Sequence, residues 1–318
     1  MTLPTTLPTT LPSTLPSTLP STARQAFRAR LEQPQPLFVP LCLDALSARI
    51  VEAAGFAAGY VSGGALGYAN AVSEALLTLD ELVSTTRHVT QRSNLPVIVD
   101  GGVGFGDAVH LVRAIWEVEA TGAAAIEIED QVAPKRVSHH RGVEHLISCG
   151  EMVAKIQHAV AARRDPDFLI IARTGAVRNE SYAAAVVRAN AYRAAGADMI
   201  LLLPGNDDEW RRAPADIAAP LVAMAALDAR SAEEWRTLGW RVIIDPFTAQ
   251  VIAVSAVRDA LLKFQKEGNT GHAPADIFRT YRHLADWAGL EALYDIERAT
   301  TERASVGPSG AATTDRTG

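Results

Sequence analysis

Between Ala125 and Arg141 the chain reads A-I-E-I-E-D-Q-V-A-P-K-R-V-S-H-H-R. Three carboxylates, Glu127, Glu129 and Asp130, are followed closely by Lys135, Arg136, His139, His140 and Arg141. The stretch opens as an apolar run of the kind that fills the inside of a parallel sheet, then turns abruptly charged. Carboxylates at a strand's end followed by a charged loop are what a site for a metal or an anion requires. The same residues also suit a plainer role, with Glu129 and Asp130 capping a turn and the basic cluster solvated. The residues alone leave these readings level, and their place in the chain has to decide.

That place is a repeating pattern. Strand-like runs fall at residues 37–41, 58–61, 97–99, 124–128, 168–172, 199–203, 221–224 and 241–244. Between them lie alanine-rich helical patterns, among them 46–54, 79–92, 108–120, 151–162, 182–195 and 231–238. Several end in a glycine just before the next strand, at Gly55, Gly122, Gly196 and Gly239, as helix C-caps in βα repeats do. Eight such units predict an α/β fold, a (β/α)8 TIM-type barrel. An open doubly wound sheet would carry a nucleotide fingerprint in its first turn, but that turn reads L-C-L-D-A-L-S-A without a glycine. The glycine-rich loop at 101–106 has the spacing of neither G-x-G-x-x-G nor a P-loop.

In a barrel, polar residues at the strand C-termini meet at one mouth. Here they are Asp44, Ser62, Asp100, Glu129, Arg173, Thr174, Asp228 and Asp245. Carboxylates, a guanidinium and a hydroxyl converging there suit a divalent ion and a carboxylate substrate. Taken singly, Asp44 and Asp100 also suit helix caps and Ser62 a tight turn; the shared location is the stronger signal.

Composition excludes several other classes. The 318 residues are 48% apolar and 21% charged with a net charge of -6, which argues against a nucleic-acid or anionic-membrane surface. No run is long and apolar enough for a membrane helix. Two cysteines, Cys42 and Cys149, form neither a disulfide framework nor a metal spacing, which fits a reducing, cytoplasmic setting. Residues 2–21 are five copies of T-L-P-[TS], so 1–22 are expected to be a disordered tail, and 305–318, rich in Gly, Ser and Thr, likewise. A short amphipathic helix is expected at 23–33. The domain boundaries expected are 23–265 for the barrel and 266–304 for a C-terminal helical extension.

At these motifs the chain resembles the isocitrate lyase / phosphoenolpyruvate mutase superfamily, nearest its short methylisocitrate-lyase-like branch. The resemblance runs from about residue 45 to 268 and is carried by D-A-L-S-A at 44–48, Y-V-S-G-G at 60–64, T-L-D-E at 78–81, I-E-D-Q at 128–131, P-K-R at 134–136, D-P-D-F at 165–168 and A-R-T at 172–174. It implies a barrel whose eighth helix is exchanged with a neighbouring subunit, usually in a homotetramer. It also implies Mg2+ (or Mn2+) and an enolate-type intermediate from a small carboxylate substrate. By position it assigns Tyr60, Ser62, Gly63 and Gly64 to the grip on the substrate carboxylate. Asp100 and Glu129 fall in the metal shell, and Arg173 is the clamping arginine.

Five positions depart from the pattern. The metal loop D-x-D-x-G-x-G has Gly102 for its second acid. The mobile loop K-[KR]-C-G-H has Val137 where a cysteine would protonate the leaving carbanion. A-R-T-D ends in Gly175, P-E-A has Gly205, and the asparagine after the seventh strand is Met224; the segment at 70–75 is also altered. A missing general acid costs about 10²–10⁴ in rate; His139 or His140 is the replacement the sequence offers, with His139 or Lys135 handling protons. The reading is a metal-assisted lyase, acting by carbon–carbon cleavage or decarboxylation on a 2-oxo or 2-hydroxy di- or tricarboxylic acid. The alternatives are a non-catalytic binding barrel and mutase-type phosphonate chemistry; the mutase loop carries an asparagine near where Ser138 stands.

Overall fold

The computed structural model describes residues 20–301. The repeat up to residue 19 and the tail from 305 lie outside the described residues. These fall into two compact units that meet in sequence between Gly271 and His272.

The first unit is the barrel. Its strands are β1 (Leu37–Pro40), β2 (Gly59–Val61), β3 (Val97–Asp100), β4 (Ala125–Glu129), β5 (Leu169–Thr174), β6 (Met199–Leu202), β7 (Leu221–Met224) and β8 (Val242–Asp245). All pairings are parallel, in the order β1-β8-β7-β6-β5-β4-β3-β2. The ring closes through the parallel bridge Leu41–Tyr60, where the Cys42 N–H donates to the Tyr60 carbonyl at 2.7 Å. The barrel expected from the sequence is therefore the observed fold, with strand edges moved by a residue or two.

The helices of this unit are α1 (Pro20–Leu31), α2 (Ala45–Ala53), α3 (Gly63–Ala69), α4 (Leu79–Thr90), α5 (Ala108–Ala120), α6 (Cys149–Ala162), α7 (Ala176–Asn179), α8 (Tyr182–Ala194), α9 (Asp207–Asp216), α10 (Ala232–Leu238) and α11 (Thr248–Glu267). Capping boxes start α2, α4, α6 and α10, with Asp44, Thr78, Ser148 and Ser231 as N-caps. Asp44 is thereby spent as a cap. Gly239 ends α10 at φ +85°, a left-handed turn that only glycine makes without strain.

Alternation along each strand sorts two cores. Ile126 and Ile128 face outward into the helix layer, whereas Ala125 joins Leu169, Ile171, Ile98 and Tyr60 inside the barrel. The same alternation turns Glu127 and Glu129 inward above Ala125, and Arg173 above Ile171. Helix α1 closes the opposite end: Phe27, fully buried, belongs to the inner core. Burying such a ring contributes about 2–3 kcal/mol. Arg24 anchors the same helix through bonds to the carbonyls of Ala123 (2.8 Å) and Glu119 (2.6 Å) and to Asp165 (2.7 Å).

The second unit holds α12 (Pro274–Ala288) and α13 (Leu290–Ala299), separated by Gly289 at φ +72°. Both helices have one apolar and one polar face, and both leave large apolar side chains exposed, Phe278 and Tyr281 on one and Leu293 and Ile296 on the other.

Candidate active site

Parallel register sets the first layer of the site. Asp100 pairs with Glu127 across β3–β4, and Glu129 pairs with Arg173 across β4–β5. Four groups from three adjacent strands therefore reach one mouth without any loop having to place them. Glu127 is held from two sides, accepting from the Tyr60 hydroxyl at 2.8 Å and from Arg173 Nη1 at 3.1 Å. Arg173 Nε lies 3.6 Å from Glu129 Oε2, which also accepts from Gln131 Nε2 at 2.8 Å.

Asp100 is fixed by backbone. Its Oδ2 accepts the Gly63 N–H at 3.1 Å and its Oδ1 the Gly102 N–H at 3.0 Å. A Cβ on Gly63 would stand 3.2 Å from Asp100 Oδ2, and one on Gly64 3.0 Å from Glu74 Oε2, so this turn is glycine because two carboxylates crowd it. Ser62 caps α3, its hydroxyl accepting from the Ala65 N–H at 3.2 Å.

The segment after β4 folds over the mouth. It is zipped at its base by the Gln131–Leu146 bridge and by the Val132 N–H to His145 carbonyl bond at 2.8 Å. Lys135 pairs with Glu129 Oε1 at 2.5 Å and with Glu74. His139 Nε2 lies 2.7 Å from Glu74 Oε1, and its Nδ1 donates to the Arg136 carbonyl at 2.7 Å. His140 meets the Tyr68 hydroxyl at 3.2 Å and Ser73 Oγ at 2.9 Å. Beneath this cover lies a cavity of about 180 Å³ whose walls include Gly63, Glu74, Asp100, Gly102, Phe105 and Lys135.

The electrostatics follow from burial and an excess of acid. Burial, and then the nearby Asp100, push the Glu127 carboxyl up to about 7, against Arg173 and Tyr60. Burial and Glu74 raise Asp100. Burial acts the same way on Glu129, but Lys135 and Arg173 together outweigh it and hold that carboxyl below its usual range. Glu129 and Glu74 keep the buried Lys135 firmly protonated. Four carboxylates thus face two permanent cations, and Glu129 Oε1 receives no aligned hydrogen bond. That donor set suits a divalent ion held by one or two carboxylates and otherwise by water. Among the described residues no ready cage of three or more His, Cys, Asp or Glu exists.

The structure thus brings Asp100, Glu129, Arg173, Lys135 and His139 together, with the Ser62–Gly64 turn beside them and Tyr60 below, fully buried. It sets others aside. Asp245 accepts the N–H groups of Leu227, Phe247 and Thr248, a turn-holding role, and Asp228 is exposed. Asp130 and Thr174 belong to a structural hub. Asp130 accepts from Thr174 Oγ1 (2.7 Å), the Tyr192 hydroxyl (2.8 Å), the Gly175 N–H (2.9 Å) and, at 3.4 Å, Arg188. Val137 is exposed and Met224 packs on the inner core. Open space lies where a side chain on Gly102 would begin.

Sequence reasoning passed over Glu74, which lies in the altered segment and binds both Lys135 and His139. It also left Glu127 without a role, although its two-residue spacing from Glu129 puts both on one face of β4.

A barrel with charged groups at its C-terminal mouth under a folded-over segment matches known proteins. The phosphoenolpyruvate phosphomutase family matches residues 27–264. The chain belongs to this family. It is 36% identical over 252 residues to probable 2-methylisocitrate lyase 1 of Corynebacterium glutamicum, covering 77% of this chain and 82% of the relative. It is 33% identical over 281 residues to 2,3-dimethylmalate lyase of Eubacterium barkeri, covering 85% and 95%. Among solved structures, phosphonopyruvate hydrolase in complex with oxalate and Mg2+ superposes with a TM-score of 0.80 at 28% identity, covering 88% of this chain and 99% of that one. Named relatives are thus carbon–carbon lyases, and the same superfamily includes a phosphonate hydrolase.

Proposed function

We propose that the protein is a carbon–carbon lyase acting on a small 2-hydroxy or 2-oxo di- or tricarboxylic acid through an enolate-type intermediate, with proton handling altered from that of methylisocitrate lyase. The observation that carries this reading is the cluster of Asp100, Glu127, Glu129, Arg173 and Lys135 at one mouth, with Asp100 and Lys135 lining the cavity beside it. Asp100 and Glu129 would hold Mg2+ or Mn2+, which would supply the positive charge that a developing enolate oxygen needs. Arg173, held between Glu127 and Glu129, presents its guanidinium to a substrate carboxylate. The Gly63 N–H is already given to Asp100, so in this arrangement the turn at 62–64 shapes the grip mainly by leaving room.

Cleavage of a 2-hydroxy acid hands the hydroxyl proton to one of the site carboxylates, breaks the carbon–carbon bond with its electron pair left on the departing carbon, and returns a proton there. Lys135 lines the cavity as a fixed positive charge, and His139, linked to it through Glu74, is the better matched donor of that proton. Glu74 joins Lys135 to His139, giving the proton a route back toward solvent. Val137 takes no part: it carries no exchangeable proton and faces outward.

The test is to incubate purified protein with Mg2+ or Mn2+ and a panel of such acids, following release of 2-oxo acid or CO2, with oxalate binding measured alongside by calorimetry. Turnover supports the lyase. Binding without turnover favours the second reading, a ligand-binding barrel that has lost catalysis, for which Gly102 and Val137 speak. Neither binding nor turnover overturns both.

The chain is also inferred to form a homo-oligomer, a tetramer by resemblance, in which α11 packs on a neighbouring subunit. None of its twenty residues is buried, and Val251, Ile252, Val254, Val257, Leu261, Leu262 and Phe264 are all exposed. A helix apolar around so much of its girth is one that another surface covers. No helix of the described residues is long and apolar enough to cross a membrane. Retention in the cytoplasm accords with the free thiols of Cys42 and Cys149.

A further inference from the structure

We propose that Glu144 is a positioning residue: its carboxylate docks into the space left by Gly175 at the end of β5, and this latch seats the segment that carries Lys135 and His139. The proposal deepens the reading above and rests on it for the role of that segment, but not for the latch itself.

The geometry is specific. An ideal Cβ on Gly175 would clash with Glu144 Oε2, well inside contact distance, and stand 3.2 Å from Leu146 Cδ2. Glu144 therefore occupies the volume that any side chain at 175 would claim. The carboxylate is clasped as well as fitted: Asn179 Nδ2 donates to Glu144 Oε2 at 2.9 Å, and Asn179 Oδ1 accepts the Glu144 N–H at 3.2 Å. Asn179 is itself fixed, because Nδ2 also donates to the Gly175 carbonyl at 2.8 Å. Gly175 cannot drift, since its N–H is held by Asp130. Glu144 is also close enough to Arg173 to favour its charged form.

This arrangement accounts for the departure at 175. Where the resembling pattern A-R-T-D ends in an acid fixed to the strand, this chain has a glycine, and an acid arrives from the covering segment instead. A strand-borne carboxylate stays when the cover lifts; Glu144 leaves with it. Glycine at 175 is thus the receptor for the latch rather than a simple loss.

The test uses full-length protein and five variants: Glu144→Ala, Glu144→Gln, Gly175→Asp, Asn179→Ala and the double variant Glu144→Ala with Asn179→Ala. Trypsin cleavage after the exposed Arg136 and Arg141 reports how often the segment opens, provided closing is fast relative to cutting. Glu144→Ala and Asn179→Ala are expected to speed cleavage about tenfold each, and the two together little more than either alone. Glu144→Gln still accepts from Asn179 and is expected to stay near the wild-type rate. Gly175→Asp is expected to evict Glu144 and speed cleavage at least as much as Glu144→Ala. Cleavage of Glu144→Ala and Gly175→Asp at the wild-type rate, or full additivity of Glu144→Ala with Asn179→Ala, would overturn the latch. Thermal melts confirm that each variant is folded, and if Gly175→Asp is not, the Glu144 and Asn179 variants still decide. Oxalate added with Mg2+ is expected to slow cleavage of the wild type and not of Gly175→Asp. No protection of the wild type would count against the functional reading alone, because the rates without oxalate judge the latch separately.

Discussion

Lys135 Nζ stands 2.5 Å from Glu129 Oε1 and pairs as well with Glu74, so a single ammonium ties the end of β4 to the short turn after α3. Replacing it with methionine leaves two mostly buried carboxylates facing each other without their cation. Lys135→Met is expected to lower kcat about 10²-fold and to destabilise the fold by about 3 kcal/mol. Steady-state kinetics and thermal melts on the same sample check both; a variant that loses stability but not rate would remove Lys135 from the chemistry.

His139 makes the cover sensitive to pH. Burial works against its charge, but the bond to Glu74 prevails and raises its pKa. A raised folded-state value means that the contribution is complete below the unfolded histidine value of about 6.5 and is lost as pH rises through the folded value. Opening of residues 132–147 is therefore expected to increase as pH rises above about 6.5. Proteolysis normalised to His139→Gln measures this, and a ratio independent of pH would show that the pair does not hold the segment.

Gly102 leaves an empty place beside Asp100. Its φ of +51° lies in the left-handed region, which aspartate tolerates at a cost of about 1 kcal/mol. Gly102→Asp is expected to tighten Mg2+ binding about tenfold by adding a carboxylate oxygen donor. Calorimetric titration with Mg2+ alone reads this directly, and unchanged affinity would place the ion elsewhere.

Asp130 is expected to matter for stability and not for binding. Asp130→Ala strands Arg188 and removes acceptors from Tyr192, Thr174 and Gly175, at a cost of about 3 kcal/mol or about 6–12 °C in Tm. Differential scanning fluorimetry measures the shift, and a change under about 1 kcal/mol would show that the hub is dispensable.

The bare surface of α11 predicts association. Val254→Glu with Leu261→Glu is expected to turn an oligomer into monomers in sedimentation velocity. A wild-type chain that sediments as a monomer at micromolar concentration would contradict the inferred exchange.

The fold was legible because alternation and glycine caps are local signals: β7 and α5 fall on the expected residues, and Gly55, Gly122, Gly196 and Gly239 each have positive φ. The strand-borne part of the site was legible for the same reason, since register alone brings Asp100, Glu129 and Arg173 to one rim. What the sequence hid were contacts made by loops. Glu74 sits in a segment whose pattern had changed, and Glu144 meets Gly175 from 31 positions away in the chain. No periodicity links such pairs; only the folded loop does. Thr174 misled for a related reason, because a hydroxyl beside a site and one beneath it look alike until their partners are known.

Phe27 and Arg24 stopper the far end of the barrel, which among the described residues leaves the C-terminal mouth as the way in. On the proposed function, water, reactant and waste would all pass beneath residues 132–147, in turn. The slowest event in a working cycle is then expected to be the lifting of that segment rather than the breaking of a bond, and solvent viscosity should set its pace.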